Sequence, residues 1–134
     1  MPIPFGPQLI GQTEKTLNAL LHRALGDTGL TEPLWVSLRL TQQLGETVGP
    51  GGLAAAISDQ ARYDDADALV ADLRGRGLVD GSRLTPAGLE LVGRVQERTT
   101  ALTTTLWSDL PEADLEAAAR VLGTVLERAR ALVA

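Results

Sequence analysis

The chain has 134 residues, 44% of them hydrophobic and 22% charged, which suits one domain built on a single apolar core. It has no cysteine and one histidine, which excludes disulfides, a thiol nucleophile, iron–sulfur clusters, Cys-ligated zinc and any zinc site that needs two His. A net charge of −5 argues against a generally basic nucleic-acid surface, and the scattered aromatics Phe5, Trp35, Tyr63 and Trp107 offer no stacking platform for single strands. No apolar run approaches the roughly 20 residues that span a bilayer, and Met1 to Gly11 lacks a basic and an apolar signal region, so a soluble, cytoplasmic protein with no membrane partner is expected.

In chain order, Ile10, Leu17, Leu20, Leu21, Ala24 and Leu25 recur at helical spacing and predict a helix from about Pro7 to Leu25, ended by Gly26-Asp27. Thr31-Glu32-Pro33 is a helix-start signal, and Leu34, Trp35, Leu38 and Leu44 continue it until Gly45 acts as a stop. Four glycines and a proline between Gly45 and Gly52 predict a loop, without the Gly-Lys-Ser/Thr that would make it cradle phosphate. A short helix, Gly52 to Gln60, then meets a second one carrying Ala66, Leu69, Val70 and Leu73 across the tight turn Arg62-Tyr63-Asp64-Asp65.

Leu78 to Thr85, with Asp80-Gly81 at its centre, reads as a minimal β-hairpin. Thr85-Pro86 caps a long helix to about Trp107, on which Val92, Val95, Thr99, Leu102 and Leu106 recur at steps of three and four. Pro111, Glu112 and Asp114 start a last helix carrying Leu115, Ala119, Leu122, Leu126, Ala129 and Val133. Each is about 33 Å long, which overhangs so small a core and favours a homodimer over packing within one chain.

This order of elements resembles a winged helix-turn-helix set between dimerisation helices, as in the MarR (multiple antibiotic resistance regulator) family. The resemblance is carried by Leu73-Arg74-Gly75-Arg76-Gly77-Leu78-Val79, by Leu84-Thr85-Pro86-Ala87-Gly88 and by Leu110-Pro111-Glu112-Ala113-Asp114-Leu115, and it extends from about Ile10 to the end. It implies a mainly α single domain, with residues 30–85 as the winged helix-turn-helix lobe with a minimal β-hairpin wing. Residues 7–25 and 86–133 would be the long dimerisation helices. It also implies a homodimer whose recognition helices read duplex DNA, and a pocket for a small aromatic or anionic effector.

By position, the recognition helix runs from about Asp64 to Arg76, with Ala66, Leu69, Val70 and Leu73 buried. Its opposite face holds Asp64, Ala68, Ala71 and Gly75, flanked by Asp67 and Asp72, where base readout most often uses Arg, Lys, Asn or Gln. Between Gly52 and Thr85 four arginines stand against six aspartates. Arg62, Tyr63, Arg74, Arg76 and Arg83 are the phosphate candidates, with Ser58 and Gln60 as neutral donors; each also reads as an ordinary solvated side chain. The hairpin tip, Asp80-Gly81-Ser82 with Arg83 beside it, is short for reaching into a minor groove.

His22 is the one side chain with an ordinary pKa near neutrality, and it sits about 130° from the apolar stripe of its helix, on the side of Gly11, Lys15 and Asn18. No Ser-His-Asp or metal-ligand spacing surrounds it, so no catalytic residue, metal or cofactor is assigned. The resemblance places Trp35 and Trp107 near the effector pocket, and Arg39, one turn after Trp35, can pair with an anion bidentately. The plainer alternative is a core Trp beside a surface Arg. Two functions stay open: a dimeric regulator that binds DNA and answers to an effector, or a winged-helix protein without DNA binding that binds a small molecule, a pocket enzyme being its remoter variant.

Overall fold

The computed structural model describes residues 2–134, Pro50 by its backbone. Five helices and one hairpin follow in order: α1 (Pro7–Leu25), α2 (Glu32–Ala61), α3 (Ala66–Gly75), β1 (Val79–Asp80), β2 (Arg83–Leu84), α4 (Pro86–Trp107) and α5 (Glu112–Val133). The mainly α winged helix-turn-helix read from the sequence is the architecture found. Two compact units divide the chain, one ending at Leu102 and the other covering Thr103–Ala134.

The larger unit contains the core. Leu38, Leu53, Ile57, Leu73, Val92 and Val95 are sealed from solvent, with Leu25, Leu30, Leu34 and Trp35 around them. Thr31 starts α2 by accepting a hydrogen bond on Oγ1 from the Leu34 N–H at 3.4 Å, and Pro33 fits the first turn, which has no use for its missing N–H. Helix α3 buries Ala66, Leu69, Val70 and Leu73, as the spacing predicts. It ends in a Schellman closure, where the Leu78 N–H donates to the Leu73 carbonyl and the Gly77 N–H to the Arg74 carbonyl, both at 3.0 Å, with Gly77 at φ 74°.

The stretch Gly45 to Gly52 is not the loop the glycines predict. Helix α2 runs on through it, and Gly49 alone leaves helical geometry, at φ 68° and ψ 171°, so that α2 consists of segments 32–48 and 50–61 joined at one residue. Gly45 is in the helix for close packing rather than termination. A Cβ there would collide with the Ser82 carbonyl, and the buried Ser82 Oγ donates to the Gly45 carbonyl at 2.8 Å. Gly88 does the same in α4, against the Leu78 carbonyl.

The strands pair antiparallel, Val79 with Leu84 and Asp80 with Arg83, so the two-residue turn is Gly81-Ser82, one position later than the Asp80-Gly81 signal suggests. Thr85 closes the hairpin: its Oγ1 donates to the Gly77 carbonyl at 2.6 Å and accepts from the Gly88 N–H at 3.1 Å, which caps α4. In the second unit, α5 has no buried residue, and Leu115, Val121, Leu122, Val125 and Leu126 are exposed along it.

Replacing a mid-helix glycine by alanine ordinarily stabilises by up to about 1 kcal/mol. Gly45→Ala should do the opposite and lower the denaturation midpoint, because the added methyl meets the backbone of the hairpin. Chemical denaturation followed by circular dichroism measures the sign.

Candidate functional site

Segment 50–61 of α2, the turn at residues 62–65 and α3 form a helix-turn-helix. Ser58, Asp59, Arg62 and Asp64 line a shallow depression of about 390 Å³ at its turn. Arg62 donates its N–H to the Ser58 carbonyl at 2.9 Å and takes φ 60°, ψ 33°, the one left-handed non-glycine residue among those described. Asp67, Ala68, Ala71, Asp72 and Gly75 are exposed on α3, as is Asp64 just before it, so its outer face is acidic and small, as its spacing indicates.

The cations assigned to phosphate from the sequence are mostly engaged within the chain. Arg74 Nη2 donates to the Gly81 carbonyl at 2.7 Å and braces the hairpin turn. Arg76 Nε donates to Asp72 Oδ1 at 2.7 Å, and its Nη1 to the Gly29 carbonyl at 3.1 Å, tying the end of α3 to the α1–α2 connection. Arg83 approaches Glu46 at 4.0 Å with both side chains well exposed, a contact that water screens. Ser58 and Gln60 are exposed near the turn, with Gln60 Nε2 3.5 Å from Asp59 Oδ2.

Tyr63 turns inward. Its hydroxyl donates to Glu32 Oε1 at 3.4 Å, linking the turn before α3 to the first turn of α2. Burial first, then the Glu32 charge and hydrogen bond, and then Asp65 and Glu14, push its pKa up to about 12.

The residues assigned to an effector fall in three places. His22 lies in a cleft of about 460 Å³ with Asn18, Leu25, Gly26, Leu30, Thr31, Glu32 and Pro33. Trp35 is in the core at 7% exposure, with the Arg39 guanidinium 5.8 Å from its ring centroid and Arg39 Nε buried without a hydrogen-bond partner. Trp107 is 44% exposed and belongs to the C-terminal unit. The structure thus brings Arg39 to Trp35 and gives His22 other neighbours. Of the cleft residues only His22 stands out in the sequence; Asn18 and Glu32 are among those that do not. Asn18 is one helical turn before His22, a signal that was present, whereas Glu32 has the position of an ordinary helix-start acid.

Tyr63 is the sole tyrosine, so alkaline titration of tyrosinate absorbance reads it directly. A phenol whose pKa is raised on folding contributes stability that is complete below the unfolded value of 10.0 and is lost as the pH climbs toward 12. Glu32→Gln should move the midpoint down from about 12 yet leave it above 10.0, because burial, the largest cause, remains.

The helix-turn-helix family model matches residues 38–133. No curated protein sequence matches the chain. Among solved structures, a MarR-family transcriptional regulator from Rhodococcus sp. RHA1 superposes with a TM-score of 0.71 at 24% identity, covering 87% of this chain and 88% of its own. A MarR-family protein of Mycobacterium tuberculosis in complex with DNA gives 0.68 at 24% identity, over 92% of this chain and 98% of its own. The complex of a M. tuberculosis MarR-family protein with p-aminosalicylic acid gives 0.65 at 22% identity, over the same shares. The chain therefore belongs to the helix-turn-helix family, and its fold is the winged helix-turn-helix of the MarR-family structures.

Proposed function

We propose that the protein is a MarR-type transcriptional regulator, acting in the cytoplasm as a homodimer that binds duplex DNA and answers to a small molecule. The observation that carries the DNA reading is Arg62. A non-glycine residue in the left-handed region costs on the order of 1 kcal/mol, which glycine would avoid, and here it stands at the turn of the helix-turn-helix with an exposed side chain. That backbone caps the end of α2 and sets the exposed guanidinium at the entry to α3, where phosphate is a partner that suits it. The DNA complex of a structural neighbour supports the same reading.

Dimerisation is supported by α5. Leu122 and Leu126 are 44% and 50% exposed, and with Leu115, Val121 and Val125 they give the helix an apolar surface that the chain's own fold leaves uncovered. The second reading, a winged-helix protein that binds a small molecule but not DNA, is favoured by the acidic outer face of α3 and by Arg74 and Arg76 being tied inward.

Fluorescence anisotropy with a pool of duplexes at several salt concentrations separates the two. The regulator reading expects saturable binding with a shallow salt slope, since few cations are available to phosphate. Arg62→Gly should weaken that binding about tenfold and reduce the slope by about one, while the melting temperature holds or rises. No duplex binding at low salt, or an Arg62→Gly protein that binds unchanged, overturns the assignment.

Sedimentation should show a dimer at micromolar concentration. Leu122→Asp should give a folded monomer, because the position is exposed within one chain and the carboxylate is desolvated only in the dimer. A wild-type monomer sinks the dimer.

A further inference from the structure

The cleft around His22 differs in polarity from the site that Arg39 suggests. Its lining has no lysine or arginine, and its polar groups include the Glu32 carboxylate and Asn18, whose Oδ1 is buried without a hydrogen-bond partner. Leu25, Leu30 and Pro33 add apolar surface. About 460 Å³ lies within the range of small-molecule sites, roughly 300 to 1,000 Å³. The start of α2 would otherwise attract an anion, but Glu32 stands in its first turn and Thr31 Oγ1 has taken the Leu34 N–H. An incoming carboxylate would meet Glu32 as a like charge. An ammonium has three donors and no acceptor, and it pairs with the Glu32 carboxylate.

Glu32 is also the acceptor for Tyr63, two residues before the N-cap of α3. At 3.4 Å that hydrogen bond is long, and a charged donor in the cleft makes a stronger one. We infer that the cleft formed by Asn18, His22, Leu25, Leu30, Glu32 and Pro33 binds a small cationic amphiphile whose ammonium takes Glu32 from Tyr63, so that occupancy releases the turn leading into the recognition helix. Its consequence for DNA rests on the regulator reading; the binding and the competition do not. Coupling of this kind is reciprocal: a ligand that must displace Tyr63 binds more tightly where Tyr63 cannot compete.

The test uses the full chain carrying tyrosine labelled with carbon-13 at Cζ, which gives one resonance because the protein has one tyrosine. Phenethylammonium and 3-phenylpropanoate, matched in shape and opposite in charge, are titrated at neutral pH, with affinities from calorimetry. Phenethylammonium should shift the Tyr63 resonance saturably toward its position in Glu32→Gln, and 3-phenylpropanoate should not. Tyr63→Phe should bind phenethylammonium about three- to tenfold more tightly, and Glu32→Gln about tenfold or more weakly. A gain in affinity cannot come from misfolding, so Tyr63→Phe keeps the test decisive if Glu32→Gln is unstable. The proposal falls if the carboxylate binds as well as the ammonium, if the ammonium gives no saturable response, if it binds without moving the resonance, or if Tyr63→Phe leaves its affinity unchanged. No DNA enters the experiment, so failure here leaves the DNA reading standing, and failure of DNA binding leaves this one.

Discussion

Two close approaches of backbone to backbone hold this fold in register. The Ser82 carbonyl lies where a side chain on Gly45 would be, and the Leu78 carbonyl where one on Gly88 would be, so the hairpin is gripped by a helix-interior glycine at its turn and another at its base. Any Cβ at either position would push the hairpin away from α2 or α4. With the hairpin goes α3, because Leu78 is also the residue whose N–H closes the end of that helix. The orientation of α3 therefore depends on two missing methyl groups in other elements.

The same economy explains where the positive charge has gone. A hairpin of two-residue strands has few hydrogen bonds of its own, and Arg74 supplies one to its turn. The α1–α2 connection is held by Arg76 through Gly29 and by Arg98, whose Nη1 lies 3.3 Å from the Ala24 carbonyl and 3.4 Å from Asp27. Guanidinium groups suit this work because several fixed donors can serve carbonyls from different segments. The result is a winged helix whose arginines are largely spent on its own architecture, with aspartates left on the outside of α3.

Much of the fold was legible because apolar periodicity reports burial directly: the four buried residues of α3, the extent of α1 and the starts of α4 and α5 follow from spacing and caps. Gly45 reads as a helix stop because glycine has two meanings, stop and close contact, and only the Ser82 carbonyl, 37 residues away in sequence, distinguishes them. The site was less legible for a related reason. Sequence displays that Arg74 and Arg76 are charged but not that carbonyls at Gly81 and Gly29 await them. It likewise shows Glu32 as a helix-start acid and hides that Tyr63, 31 residues on, reaches it.

Helix α5 has a consequence for how much protein must be present. None of its 22 residues is buried, and in proteins most helical stability comes from packing an amphipathic face. Association through it, as proposed, would add stability that grows with the logarithm of protomer concentration. On that reading a newly made chain at low abundance would be more open to proteases along this segment than a chain in a well-populated pool. The proposed dimer would thus tie the persistence of the protein to its own dosage.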